Sequence, residues 1–464
     1  MAGIGFVLRR LTQRDDLAGG AQAYLAAAAV TSGPWLLTVL AILLTDALSR
    51  MRGDPVDQET FRAILSYNFC FSLVLTSPLT VVATRITADR IFDGDIATIG
   101  SIYVQALSAS VVLQMLPMVV FWGLVVHLPW ELRLVAIASY TSLVGLWVTV
   151  TFLSVLKDFR LALGVVALGM IVACVCAVLA RPLGAAGLLG GFTLGTSIIA
   201  VLGGARVLME FPWRPLAWRE TWDAARGFPS LAVIGLVAAA APWADKWVMW
   251  CAPGAERLDS GLRDFPAYDS AMFIAYLVMV PGIAMFFVAI ETDFFVHYRR
   301  YFDELLQGAR LARLELLRRR IIATVLRAGL SLLVLEGLVA AVTILGGPTF
   351  VQMGWMTEQQ HPIFRFGVLG ALFHTQLLCL LVVLAYLDAR RMQLVVVLVF
   401  LGLNAALPTL LLSLGDRWYG YGYFAASLVS LLVAVVLTFV ELHHLNYRVF
   451  VGNNPSLRAG RLAA

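Results

Sequence analysis

A carboxylate in the middle of an apolar stretch is the group in this chain best placed to do chemistry. Glu336 lies about halfway along the apolar residues 321–345, where a charge costs about 3 kcal/mol on insertion scales and marks a function by default. Such a group suits a proton carrier, and suits equally a carboxylate facing a wet cavity or a partner helix. Arg327 precedes it by nine residues, about 13.5 Å along a helix, so the two cannot pair directly. Asp245 and Lys246 stand side by side near the end of the apolar stretch 227–250. Neighbours on a helix point about 100° apart, so these two do not face one another and are placed to line the mouth of a path. Trp243, Trp247 and Trp250 share one helical stripe around them, a pattern of interfacial aromatic belts more than of sugar-stacking surfaces.

Charges also gather at the ends of apolar stretches. Arg85, Asp89 and Arg90 close one stretch, and Glu291 and Asp293 close another. Their opposite signs suit an inner gate held by salt bridges, and they suit equally a simple marking of the membrane boundary. Asn68, Gln105, Gln114, Gln376 and Asn404 are polar groups inside apolar stretches. Taken one at a time, each reads first as a hydrogen bond between helices.

Much chemistry is missing. No segment matches G-x-x-x-x-G-K-[ST], and Lys157 and Lys246 are the only lysines, so no P-loop supplies ATP hydrolysis within this chain. H-E-x-x-H, G-x-S-x-G and C-x-x-C are absent as well. The five cysteines have neither ligand spacing nor a disulfide framework. His361 and His374 lie thirteen residues apart, but a bis-histidine haem needs a second pair on a facing helix. No catalytic residue, metal or cofactor is expected.

The elements that must position these groups are membrane helices. The chain has 464 residues, 60% hydrophobic and 14% charged, against about 25% charged in an ordinary soluble domain. The apolar residues fall into blocks that reach the roughly 20 needed to cross a bilayer as a helix, and a porin-type barrel would alternate in short segments instead. Twelve spans are expected, at 21–48, 63–85, 100–126, 130–155, 161–180 and 183–206, then 227–250, 269–290, 321–345, 362–386, 391–414 and 419–443. Of the 34 Lys and Arg residues, 23 fall on the side of the N-terminus, nine on the other side and two within spans. The positive-inside rule then puts both termini in the cytoplasm. The net charge of +5 is accounted for by this asymmetry and argues for no nucleic-acid partner.

The two halves resemble each other weakly. Span 1 runs through Ala26–Ala29 to Gly33-Pro34-Trp35, and span 7 through Ala238–Ala241 to Pro242-Trp243. The next span of each half carries a proline, Pro78 and Pro281. Proline frees a carbonyl and bends a helix, so Gly33, Pro34, Pro78, Pro242 and Pro281 are candidate kinks. Paired interrupted helices point to an alternating-access transporter. The expected organisation is a six-helix bundle over 1–206, a basic cytoplasmic linker over 207–226, and a second bundle over 227–464. Within the second, 296–320 reads as an amphipathic helix that lies on the inner leaflet or docks a partner. Gly187, Gly191 and Gly195 form a small-xxx-small pattern for close helix packing.

Several short motifs, in order, resemble one family. They are Met1-Ala2-Gly3-Ile4-Gly5-Phe6, Ser32-Gly33-Pro34-Trp35, Thr84-Arg85 with Ala88-Asp89-Arg90, and Asp245-Lys246-Trp247. Glu291-Thr292-Asp293-Phe294-Phe295 and Tyr386-Leu387-Asp388-Ala389-Arg390-Arg391 complete the set. Together they resemble the PelG family of Pel exopolysaccharide transporters over nearly the whole chain. The resemblance implies an all-α, MATE-like (MurJ-like) flippase fold, two six-helix bundles around a central cavity, in the bacterial inner membrane. It implies export of a polymer rich in N-acetylgalactosamine and galactosamine, with no enzymatic activity. The partners it implies are PelD, which binds cyclic di-GMP, the membrane protein PelE, and the cytoplasmic glycosyltransferase PelF. Two alternatives stay open: an ion-coupled small-molecule antiporter using Glu336 or Asp245, and a non-transporting scaffold for the synthase.

Overall fold

The computed structural model describes residues 24, 27–29, 32–50, 55–156, 158–215 and 217–452. The Met1–Phe6 motif lies outside them. In a bilayer every backbone N–H and C=O must be satisfied internally, and long apolar sequences accordingly coil into helices. Ten helical stretches among the described residues are long and apolar enough to cross a membrane. One of them, Arg160–Glu210, holds two spans, because the tight turn Arg181–Leu183 divides it into Phe159–Ala180 and Gly184–Glu210. With the shorter helix Gly33–Arg50, all twelve expected spans have a helical counterpart.

The prolines fall at distinct kinds of position. Pro242 sits in the 3-10 turn Ala241–Trp243, which splits span 7 into Pro229–Ala240 and Ala244–Met249. Span 8 is split into Pro266–Tyr276 and Met279–Ala289, and Pro281 occupies the first turn of the second piece, where a missing N–H leaves no bond unmade. Pro78 instead stands inside the unbroken helix Pro55–Phe92. Gly33 and Pro34 open the helix Gly33–Arg50.

The chain divides into two compact units, Ser32–Pro266 and Ala267–Ala464 with Met1–Thr31. The division at 206 and 227 follows the sequence repeat, whereas the packing units separate at Pro266, after span 7. In the first unit, Gly235 of span 7 rests against the Ser77 carbonyl and Val81 of span 2. In the second, Ala27 of span 1 packs against Ala284 and Val288 of span 8. The first span of each half thus carries a small residue, seven positions before its Pro-Trp proline, against the second span of the other half.

Within the first unit, spans 5 and 6 form a hairpin with almost no loop. A Cβ added to Gly187, Gly191 or Gly195 would lie 1.9 to 2.2 Å from the backbone of residues 169–180, so only glycine lets the two helices approach so closely. The loop after span 7 carries a two-stranded antiparallel ribbon, β1 (Glu256–Arg257) and β2 (Arg263–Asp264). It is tied down by the Tyr67 hydroxyl donating to the Arg263 carbonyl at 2.9 Å and the His127 N–H donating to the Ser260 carbonyl at 2.9 Å.

In the second unit the stretch 296–320 is not one helix. The helix Phe295–Leu306 ends at Gly308, whose φ of +75° is the left-handed conformation that closes helices. The remainder opens the 42-residue helix Leu311–Gln352, about 63 Å long. The two pieces are clamped together: Glu304 accepts from Arg313 at 2.7 Å and from Arg300 at 3.0 Å. Tyr301 is fully buried and donates to Asn446 at 2.7 Å, and Asn446 donates to Glu315 at 3.1 Å. Arg318 bonds Glu315 and the His443 carbonyl. The amphipathic segment is therefore docked on its own chain.

Candidate functional site

Glu336 is 0% exposed, held where three helices meet. Its own helix Leu311–Gln352 brings the carboxylate against Gly282 of Met279–Ala289 and Thr375 of Gln360–Tyr386. Gly282 is what makes room: a Cβ there would lie 1.6 Å from Glu336 Oε1. Neither Glu336 oxygen has a hydrogen-bond partner of normal geometry. Thr375 spends its own proton on the Ala371 carbonyl at 2.9 Å. Arg327 is exposed on the same helix and takes no part.

Asp245 is also 0% exposed, in the short helix Ala244–Met249. Lys246 lies over the Trp243 ring with Nζ 4.8 Å from its centroid, a cation–π contact. The tryptophan stripe packs inward rather than forming a belt. Trp250 stacks on Tyr67 at 4.5 Å, and Trp247 lies parallel to Phe71 at 6.1 Å. Phe121 joins both Tyr67 and Phe71. Tyr67, Phe71 and Phe121 were not legible as members of this aromatic group, since their apolar stretches give no sign of which neighbour each ring meets.

The gate candidates are each engaged locally. Arg85 pairs with Asp89 one turn on at 3.1 Å and lies 5.6 Å from the Phe228 ring centroid. Arg90 bonds Asp95 at 3.0 Å. Glu291 is 6% exposed inside the π-turn Ile290–Phe294, which also holds the exposed Asp293. Single-turn π-bulges in helices are frequent at functional positions.

Other polar groups join helices. Asn68 accepts from Trp122 and donates to the Ala136 carbonyl, both at 3.0 Å. Gln114 donates to Thr76 at 3.0 Å and accepts from the Tyr140 hydroxyl at 2.8 Å. His374 bonds Tyr423 at 2.9 Å in the interior. Among the described residues no group of three or more His, Cys, Asp and Glu is placed to hold a metal ion.

These helices, with the carboxylates buried among them, define a membrane transporter of the MATE type. A structure of a MOP-superfamily transporter from Pyrococcus furiosus is similar with a TM-score of 0.63 at 16% identity, covering 96% of this chain and 99% of that one. A MATE transporter solved in complex with MaL6 is similar with a TM-score of 0.62 at 16% identity, covering 96% and 100%. An inward-facing multidrug-resistance MATE transporter gives 0.59 at 15% identity, covering 88% and 95%. At such identities the likeness establishes the fold. No curated protein matches the chain.

Residues 1–450 match the family described as "PelG: Putative exopolysaccharide Exporter (EPS-E)". The chain belongs to that family. It is a multi-pass membrane transporter, and its fold and family are of transporter rather than enzyme type.

Proposed function

We infer that the chain exports a Pel-type polymer, rich in N-acetylgalactosamine and galactosamine, across the bacterial inner membrane. It does so within a synthase complex with PelD, PelE and the glycosyltransferase PelF, with both of its termini in the cytoplasm. The observation that carries this reading is the family match over residues 1–450. A weakly charged glycan calls for aromatic and hydrogen-bonding groups more than for strong charge, and the aromatic group around Tyr67, Phe71 and Trp247 suits it. Asp245 and Lys246 then sit near the outer mouth. Arg85, Asp89, Arg90, Glu291 and Asp293 mark the inner one. The arginines of 296–320 present the charged face on which a cytoplasmic synthase would dock.

The test is a strain lacking this chain but retaining the rest of the apparatus. Its cells are fractionated, N-acetylgalactosamine-rich polymer is quantified inside and outside, and glycosyltransferase is assayed in the lysate. Polymer trapped in the cytoplasm is the expected result. No polymer at all, beside an active glycosyltransferase, would favour the scaffold. Normal extracellular polymer would remove the Pel reading and promote the small-molecule antiporter.

A further inference from the structure

The surroundings of Glu336 contain more than the transporter reading requires. Asn68 and Gln114 in the first unit have every strong hydrogen-bonding direction occupied or nearly so, whereas Glu336 is fully buried with both oxygens unmatched. An ionised carboxylate there would lack both water and a counter-charge, and such groups persist only with a proton or a cation bound.

The available ligands decide between the two. A hard metal cation takes about six oxygen ligands. Beside Glu336 stand only the Thr375 hydroxyl and the backbone of Gly282, and the described residues hold no cluster of further acids. A proton needs no additional ligand.

There is also a route. A cavity of about 30 Å³ is lined by Phe286, Leu332, Gln376 and Cys379, among others, with room for about two waters. Phe286 is one helical turn from Gly282, Leu332 one turn from Glu336, and Cys379 one turn from Thr375. All three steps lead in the same direction, toward the arginine-rich segment. The lining continues that way to Thr324 and Phe294.

We propose that Glu336 binds and releases a proton through this cavity, from the side of the arginine-rich segment, and that this exchange drives the transport cycle. The proposal rests on the transporter reading but not on the identity of the glycan. The titratable and charged groups around the site are few. Cys379 faces it from Gln360–Tyr386, and Glu291 lies in the π-turn whose Ile290 and Phe294 line the cavity. Arg327 is on Glu336's own helix, exposed. Met279–Ala289 presents none, and His374 is turned to Tyr423.

The full-length purified protein tests this by infrared spectroscopy of the protonated-carboxyl C=O stretch across a pH series, beside export measured in cells. The wild type should show a buried carboxyl band that titrates reversibly with bulk pH. Glu336→Gln should lack that band and lose export at equal membrane abundance, while Glu336→Asp should shift the band and keep some of the export. A band that survives Glu336→Gln, or full export by that variant, overturns the proposal. If the Gln variant does not accumulate, the Asp variant decides: a band left unshifted by it, or a wild-type band indifferent to pH, is equally fatal. Loss of the Pel reading would leave the infrared result standing, so the two failures are distinguishable.

Discussion

Gly282 and Glu336 form a pair in which one residue is defined by what the other lacks. Gly282→Ala places a methyl group 1.6 Å from the carboxylate oxygen, an overpacking expected to destabilise by about 1–3 kcal/mol. Gly337→Ala meets nothing within 4 Å and should be neutral or gain up to about 1 kcal/mol from helix propensity. Thermal unfolding of the two purified variants in one detergent checks the contrast, and equal melting temperatures would refute the geometry. Tyr140→Phe removes the hydroxyl that Gln114 accepts and should cost about 1 kcal/mol in the same assay, the scale of an interhelical hydrogen bond in a membrane. Glu336 was visible in the sequence because a carboxylate is conspicuous among apolar residues. Gly282 was not, since a glycine in an apolar run looks the same whether or not a carboxylate fills the space above it.

The glycine-lined hairpin of spans 5 and 6 offers a comparison between adjacent residues. At Gly191 a Cβ would lie 2.1 Å from the Ala177 nitrogen, whereas at Gly190 it would lie 3.8 Å from a Val135 methyl. Gly191→Ala should therefore open the hairpin and raise protease sensitivity in membranes, while Gly190→Ala should leave digestion unchanged. The small-xxx-small spacing announced this interface, because the repeat of four is itself the helix face. The clamp between Phe295–Leu306 and Leu311–Gln352 was harder to foresee. Amphipathic periodicity says that a helix has a side to cover, but the cover comes from Tyr301, Asn446 and Glu315, up to 145 residues apart. Glu304→Arg should speed amide exchange across 295–313, and adding Arg313→Glu should restore protection. An absence of rescue would mean that the Glu304–Arg313 pair contributes little, as exposed ion pairs often do.

At the scale of the whole chain, span count and family were open to sequence reasoning because both are spread over hundreds of residues. The packing units were not. Period and composition locate a helix without naming its neighbour, and span 7 joins Ser32–Pro266 through contacts such as Gly235 on Val81. Twelve spans fix an alternation that reporter fusions can read: 216 and 308 should report one side of the membrane, and 254 and 354 the other. Any crossing of those pairs would remove a span. The helix Leu311–Gln352, at about 63 Å, is roughly twice the thickness of a hydrocarbon core of about 30 Å. Its arginine-bearing end is bolted to Asn446 and the His443 carbonyl just past the last span. A rod of that length is a lever arm: tilting it by about 10° within the bilayer would sweep a point about 30 Å beyond the pivot through about 5 Å. Whatever grips the arginines outside the membrane would feel, as displacement, a change made beside Glu336.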